Sequence, residues 1–505
     1  LVPFNIFLVK PDKVKDTNTT VKSSSSPKFL GNLLVIPMDG SHWVGIKALA
    51  QELGRRGHRV TVVIPEHNLR MGPGKYYDTI FYPVPYDKEH VINLLSSHKD
   101  VLEKSVQPFM EKIKARFTQI GKTSNFLHTT AESLLFNTSL IHHLAEQFDA
   151  VLTDPMVPTG SFIARKLGVP VINLLRGIPC FMDLKAAGCP APPSYVPRFF
   201  TGLTDKMNFK ERTINTLVKM CIKYSCTICK LNLIRLSFYR IDFTLDSPRP
   251  LMPNTILVGG INCKLRNPLP EDLVTWISGE HGFVVFTLGS MLSELPEYIT
   301  STFLEAFRQI PQKVIWRYTG KVPGKIPENV KMMKWVPQND LLAHPGVRAF
   351  ITHAGSHGAF EGLCHAVPML MVPVNAEQPD NAQRIASRGA GVVLDITSIT
   401  TESLLQGLNE VINNPRYKEN IRQLSALHND RPMDPLDLSV YWTEYVMQHK
   451  GAKHLKAAVH DLNWFQYYCL DIVALLATVL LVTVTLIFKC LKLCFRKLGR
   501  KKKQE

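Results

Sequence analysis

Two series of short apolar runs, each separated by helix-like stretches, constrain this chain more than any other feature. The first series holds NLLVIPM from Asn32, RVTVVI from Arg59, DAVLTD from Asp149 to Asp154, and VPVINLL from Val169. The second holds FVVFTLGS, KVIWRYTG, VKMMKW, RAFITHAG, PMLMVPV and GVVLD, between Phe283 and Asp395. Such mostly apolar runs suit parallel strands covered on both faces. SFIARKLG, between DAVLTD and VPVINLL, reads as a helix, which is βαβ logic. The expected fold class is α/β, with two Rossmann-like, doubly wound domains facing a cleft.

At 505 residues the chain exceeds what one core usually holds, so more than one domain is expected. DSPRPLMPNTILVGGINCKLRNPLP carries five prolines and reads as an interdomain linker, 246–270. It separates a first domain, 29–245, from a second, 271–430; a C-terminal helix and membrane-proximal segment follow at 431–463. Within the first domain CPAPPSYVPRF reads as a loop packing over a site, and 74–136 as irregular. The stretch 218–243 is basic, cysteine-bearing and hard to place. Residues 1–28 are expected to form an N-terminal segment with a signal peptide absent or incomplete, because LVPFNIFLV is short and lacks a charged start.

Ile472–Phe488, IVALLATVLLVTVTLIF, is free of charge and sits at the short end of a membrane-spanning length. Tyr467 and Tyr468 precede it and a basic tail, 489–505, follows, so one C-terminal transmembrane helix with a cytosolic tail and a lumenal body is expected. Lys502 and Lys503 resemble a dilysine retrieval signal, which points to the endoplasmic reticulum membrane. Asn18 and Asn137 open triplets that suit glycosylation in such a body. Cys226 and Cys229 have a redox-like spacing without the strand–helix context that would support it. The net charge is +17; the tail holds eight Lys or Arg against one Glu, leaving about +10 on the body. No basic helix interleaved with aromatics stands out, so nucleic acid is not an expected partner.

The segment Trp335–Asn381 is the most informative for chemistry. RAFIT leads into His353, and a turn with Gly355 and Gly358 opens a helix. Free N–H groups and the positive end of the helix dipole suit a pyrophosphate there. Ser356 and His357 add side-chain donors, and Glu361 offers a carboxylate to ribose hydroxyls. Trp335 offers a flat face for a base and Gln338 an amide. Taken singly, each has a plainer reading: a glycine turn, a core tryptophan, a solvated glutamate.

Taken together, the segment resembles the nucleotide-sugar signature of the UDP-glycosyltransferases, and most of all the vertebrate UDP-glucuronosyltransferases. TDPMVPTG, LVGGINC, FTLGSM, SALHNDRPMDPLDLSVYW and HDLNWFQYYCLD follow in the family's order, from about Gly31 into the tail. The resemblance implies a two-domain GT-B glycosyltransferase, with the acceptor in the first domain and the UDP-sugar in the second. It implies that Trp335 stacks on uracil, that Gln338 holds base or ribose, that His353 and residues Gly355, Ser356, His357 and Gly358 hold the diphosphate, and that Glu361 binds ribose. Glu377 and Gln378, where the family usually has Asp-Gln, would meet sugar hydroxyls, with Ser290 and Arg240 also on the sugar side. Ala366 stands where the family usually has glycine.

The implied reaction is transfer of glucuronic acid from UDP-glucuronate to a hydroxyl of small lipophilic acceptors, with inversion. UDP-glucose, UDP-galactose and UDP-N-acetylglucosamine are alternative donors. An inactive modulatory subunit is a third reading, because 218–243 is shorter than the family's usual run. A lone loop histidine more often caps or solvates; the resemblance makes His42 the base and Asp154 its orienting acid, as both follow strands of one sheet edge. No Asp-x-Asp pair stands out, so no cofactor and no essential metal are expected. The family also implies a membrane partner and homo- or hetero-oligomers with related transferases.

Overall fold

A computed structural model of the chain describes residues 29–94, 109–145, 148–175, 189–198, 201–225, 236–290, 292, 294–375 and 377–501. Two parallel sheets organise them. The first runs β3-β2-β1-β4-β5-β6-β7. Its strands are β1 (Asn32–Ile36), β2 (Arg59–Pro65), β3 (Asp78–Tyr82), β4 (Ala150–Thr153), β5 (Val171–Leu175), β6 (Leu236–Tyr239) and β7 (Thr255–Leu257). The second runs β10-β9-β8-β11-β12-β13. It is built from β8 (Phe283–Thr287), β9 (Lys313–Arg317), β10 (Val330–Met333), β11 (Val347–Thr352), β12 (Met369–Met371) and β13 (Gly391–Val393). In each sheet the order reverses once, between β1 and β4 and between β8 and β11. Loops leaving the carboxyl ends of such strands frame a crevice.

The strand pattern follows from burial on two faces. Leu33 and Val35 enter one core, and Leu34 and Ile36 the opposite one. Val284 and Phe286 part from Phe283 and Val285 in the same way. Phe286 stacks on Phe303 at 4.6 Å and on Trp316 at 4.8 Å. Cutting Phe286 to Ala would open a cavity under these rings and cost about 3–5 kcal/mol.

Several segments are more regular than the sequence suggests. The 74–136 stretch holds β3 and the 27-residue helix Phe109–Leu135. The 218–243 stretch contains the end of the helix Phe209–Ser225 and then β6. The proline-rich 246–270 stretch is a linker only after β7, which pairs with β6 and extends the first sheet. Cys263 and Cys364, 101 residues apart, form a disulfide between that linker and the second domain. After the second domain, the helix Pro435–Gln448 returns to the first. Leu436, Val440, Val446 and Met447 join the core built on Trp43, Ile46 and Leu49. His58 meets Glu444 at 3.0 Å, and Arg56 pairs with Asp437.

The C-terminal helix Leu470–Lys501 contains the stretch Leu470–Leu493, long and apolar enough to cross a membrane, with none of it buried against the protein. It exceeds the expected 472–488 at both ends. Trp464, Phe465, Tyr467 and Tyr468 are exposed just before it, a composition that suits a membrane interface. Asn137 caps the helix Thr138–Leu144 through Oδ1, which accepts from the Leu140 N–H. Asn18, Cys226, Cys229, Lys502 and Lys503 lie outside the described residues.

Candidate active site

On the first domain, Gly40 turns the chain out of β1 with φ of 75°, and the helix Ser41–Arg55 begins at the next residue. His42 therefore sits in the first turn, beside the sheet's switch point. Asp154 leaves β4, whose Thr153 pairs in register with Ile36 of β1. The two side chains meet: His42 Nδ1 lies 2.5 Å from Asp154 Oδ2. His42 is 7% exposed and Asp154 2%. Asp154 Oδ1 accepts the Met156 N–H at 2.9 Å, which fixes the carboxylate. A carboxylate on Nδ1 leaves Nε2 as the ring nitrogen able to accept a proton.

On the second domain, β11 ends just before His353, and Gly355 precedes the helix Ser356–Cys364. Two glycines shape the seat of His353. A Cβ on Gly289 would lie 2.5 Å from its ring, and one on Gly355 would lie 2.6 Å from it. No side chain caps the helix start, so its first turn presents backbone N–H groups. An anion is the natural occupant of such a turn.

A hydrogen-bond relay runs from this helix to the first domain. Thr287 Oγ1 donates to Gln338 Oε1 at 2.5 Å, and Gln338 Nε2 donates to Glu361 Oε2 at 2.5 Å. His357 Nε2 lies 2.9 Å from Glu361 Oε1. Arg240 Nη2 approaches His357 Nδ1 at 2.7 Å, and Arg240 Nη1 donates to the Ser41 carbonyl at 3.4 Å. Burial opposes charge on Glu361, but His357 and the Gln338 hydrogen bond outweigh it and hold the carboxyl below its ordinary value. Each carboxylate oxygen can accept a second hydrogen bond, so Glu361 keeps capacity for a ribose hydroxyl. Arg240, 4% exposed, spans the two domains here, and a Cβ on Gly45 would come within 3.0 Å of its Nη1.

Between the domains lies a cavity of about 270 Å³. Ser41, Val44 and Arg70 line it from the first domain, and Ser290, Trp335, Gln338, His353, Gly355–Gly358 and Glu361 from the second. Trp335 is 55% exposed, and the Arg70 guanidinium carbon sits 3.9 Å above its ring. Arg317 lies 5.5 Å from the same ring. Burial, reinforced by the like charge of Arg70, pushes Arg317 down to about 10.

Glu377 and Gln378 lie elsewhere. They do not line this cavity; Glu377 borders a smaller one, shared with Asp246, Asn381, Arg384 and Ser356. The Gln378 amide is engaged by its own loop: Oε1 accepts the Val374 and Asn375 N–H groups at 2.8 and 3.0 Å, and Nε2 donates to Asn375 Oδ1 at 3.0 Å. The loop after the proline-rich stretch reaches this region, where the Gly202 N–H donates to Asp380 at 2.8 Å.

Sequence reasoning passed over Arg70, Arg317 and Thr287. Thr287 and Arg317 end strands of the second sheet, so their position at a carboxyl edge was a usable signal. Arg70 carried none, because its neighbour is 265 residues away in the other domain. Among the described residues, one group could hold a metal ion, Cys263, Cys364 and His428, and its two cysteines are the disulfide pair.

Residues 31–239 and 230–505 match the family described as UDP-glucoronosyl and UDP-glucosyl transferase. UDP-glucuronosyltransferase 1A1 of Rattus norvegicus is 42% identical over 507 residues, covering 95% of this chain and 94% of its own. UDP-glucuronosyltransferase 1A6 of Homo sapiens is 43% identical over 495 residues, covering 93% of this chain and 92% of its own. Among solved structures, Os79 from O. sativa, in complex with U2F and trichothecene, has a TM-score of 0.58 at 15% identity, over 82% of this chain and 100% of its own. Spinosyn forosaminyltransferase SpnP has a TM-score of 0.57 at 20% identity, over 83% of this chain and 99% of its own. At these identities the solved structures speak to the shared two-domain fold.

Proposed function

The chain belongs to the UDP-glucuronosyl and UDP-glucosyl transferase family, and from that premise we propose that it transfers glucuronic acid from UDP-glucuronate to a hydroxyl of small lipophilic acceptors. The observation that carries the chemistry is the buried His42–Asp154 pair at 2.5 Å. The acceptor oxygen attacks the anomeric carbon as the bond from that carbon to the β-phosphate oxygen breaks. UDP leaves with the electron pair, and the hydroxyl proton passes to His42 Nε2. Asp154 holds the tautomer and stabilises the imidazolium as it forms. One displacement inverts the anomeric configuration.

His353 and the first turn of the Ser356 helix face the leaving diphosphate, where fixed donors stabilise developing charge. Metal-independent transfer is the corresponding expectation, checked by assaying membranes with and without a chelator. Trp335 stacks the uracil, while Gln338 and Glu361 take the ribose. Glu377 is the sugar-side carboxylate.

A panel of UDP-sugars on membranes carrying the chain tests the donor. Transfer from UDP-glucuronate is expected; transfer only from UDP-glucose, UDP-galactose or UDP-N-acetylglucosamine would overturn it. A modulatory, inactive subunit is the second reading, favoured by a family match that falls into two stretches meeting at 230–239. Activity of the isolated chain would remove it.

The body belongs on the lumenal side of the endoplasmic reticulum membrane. The Cys263–Cys364 disulfide supports an oxidising compartment, and the basic residues after the apolar helix support a cytosolic tail. Replacing Lys502 and Lys503 by Ala should release the protein to later compartments; unchanged localisation would count against that address.

A further inference from the structure

The face of Trp335 already has a neighbour, and that neighbour comes from the other domain. The Arg70 guanidinium carbon lies 3.9 Å from the ring centroid. A guanidinium is flat, weakly hydrated and charged, so it stacks on an aromatic face much as a base does. Stacked groups need about 3.5 Å each, so a base between Arg70 and Trp335 requires roughly 7 Å where 3.9 Å now separates them. Base entry on this face must therefore move the Arg70 loop or widen the gap between domains.

A carboxylate determines where that loop sits. Asp39 Oδ2 accepts the Leu69 N–H at 2.5 Å, and Asp39 Oδ1 accepts the Gly40 N–H at 2.6 Å. One half-buried side chain thus holds both the residue before Arg70 and the turn that opens the His42 helix. Arg70 and Arg317 also bring two cations to the same ring, an arrangement that an anionic nucleotide relieves.

We propose that Arg70 is a nucleotide-binding residue contributed by the acceptor domain: the uracil enters between Trp335 and the Arg70 guanidinium, which then stacks on its outer face. The proposal rests on the UDP-sugar reading of this cavity and adds a contact across the cleft to it. Base binding then adjusts the spacing of the two domains at the loop that Asp39 ties to His42.

The test is equilibrium binding to the full-length chain in detergent, with UDP, uridine and inorganic pyrophosphate as separate probes. Arg70→Ala should weaken uridine and UDP alike, by about fivefold, the scale of one cation–aromatic contact. Pyrophosphate binding should be unchanged, which also reports an intact fold. Arg70→Lys, which keeps the charge and loses the flat face, should resemble Arg70→Ala toward uridine. Uridine affinity that is unchanged or tighter in Arg70→Ala would overturn the proposal, as would a loss confined to pyrophosphate. Wild-type UDP binding is read in the same titrations, so a failure of the nucleotide reading, which would sink both, is distinguishable from a failure of Arg70 alone.

Discussion

His42 Nδ1 and Asp154 Oδ2 are 2.5 Å apart although 112 residues separate them in sequence. Neither can be changed without altering the state of the other. His42→Ala should lower kcat for O-conjugation by about 10²–10⁴-fold while UDP affinity stays near wild type. Asp154→Asn keeps the shape, loses the charge and should approach the same loss. A steady-state assay beside a UDP titration reads both; near wild-type kcat in either variant would refute the pair's role.

Gly355 offers a steric probe of the proposed diphosphate seat. Its φ of −62° is ordinary for any residue, so an added methyl acts only by contact, 2.6 Å from His353. Gly355→Ala should displace that ring and reduce kcat/KM for the donor by about 10- to 100-fold. Gly72→Ala, where a Cβ meets nothing within 4 Å, should leave it unchanged.

Ala366 occupies a left-handed position, with φ of 54°. Alanine there carries a strain that glycine does not, offset in part by the greater freedom of glycine in the unfolded chain. Ala366→Gly should stabilise the protein by about 0.5–1 kcal/mol, read as a rise in Tm. A fall would show that the local conformation differs.

Acid should loosen the contact around Asp242, which joins the first domain to the Pro415–Asn429 helix. His428 Nδ1 lies 2.6 Å from Arg431 Nη2 and 3.4 Å from Asp242 Oδ2. Burial lowers the His428 pKa more than Asp242 raises it, so the unfolded chain binds the extra proton as pH falls below about 6.5 and stability declines. Burial opposes the Asp242 charge, but hydrogen bonds from His428 and Thr244 and the charge of Arg431 hold that carboxyl well below its ordinary range. Its contribution is present above about pH 4 and is lost below it. Melting curves across this range should fall in two steps. His428→Gln should remove the upper step and Asp242→Asn the lower; a profile identical to wild type in both would count against the cluster.

Much of the architecture was legible because burial on both faces writes itself as apolar runs. β1, β2, β4, β5 and the inner strands β9, β8, β11 and β12 of the second sheet are such runs, and the carboxyl ends of β1, β4, β8 and β11 lead to His42, Asp154, Ser290 and His353. β3 was missed because its pattern is half exposed, and β7 because the prolines around it mark a linker. The Phe109–Leu135 helix presents many polar residues to solvent and lacks a sharp apolar stripe. The relay from Thr287 to Arg240 and the Cys263–Cys364 bond depend on meetings across the fold that local pattern does not encode. Gln378 was legible only through its motif, and that its amide also shapes the 374–378 loop was not.

The Pro435–Gln448 helix has a mechanical consequence. It leaves the second domain, packs into the core of the first, and only then does the chain continue toward its apolar C-terminal helix. An anchor placed there therefore moors the first domain as one piece, through Val440, Val446 and Met447. The second domain is joined to it by the linker and by the chain that leads into the Pro435–Gln448 helix. Under the proposed assignment, any change in the cleft would be a movement of the UDP-sugar domain against an acceptor domain held at the membrane.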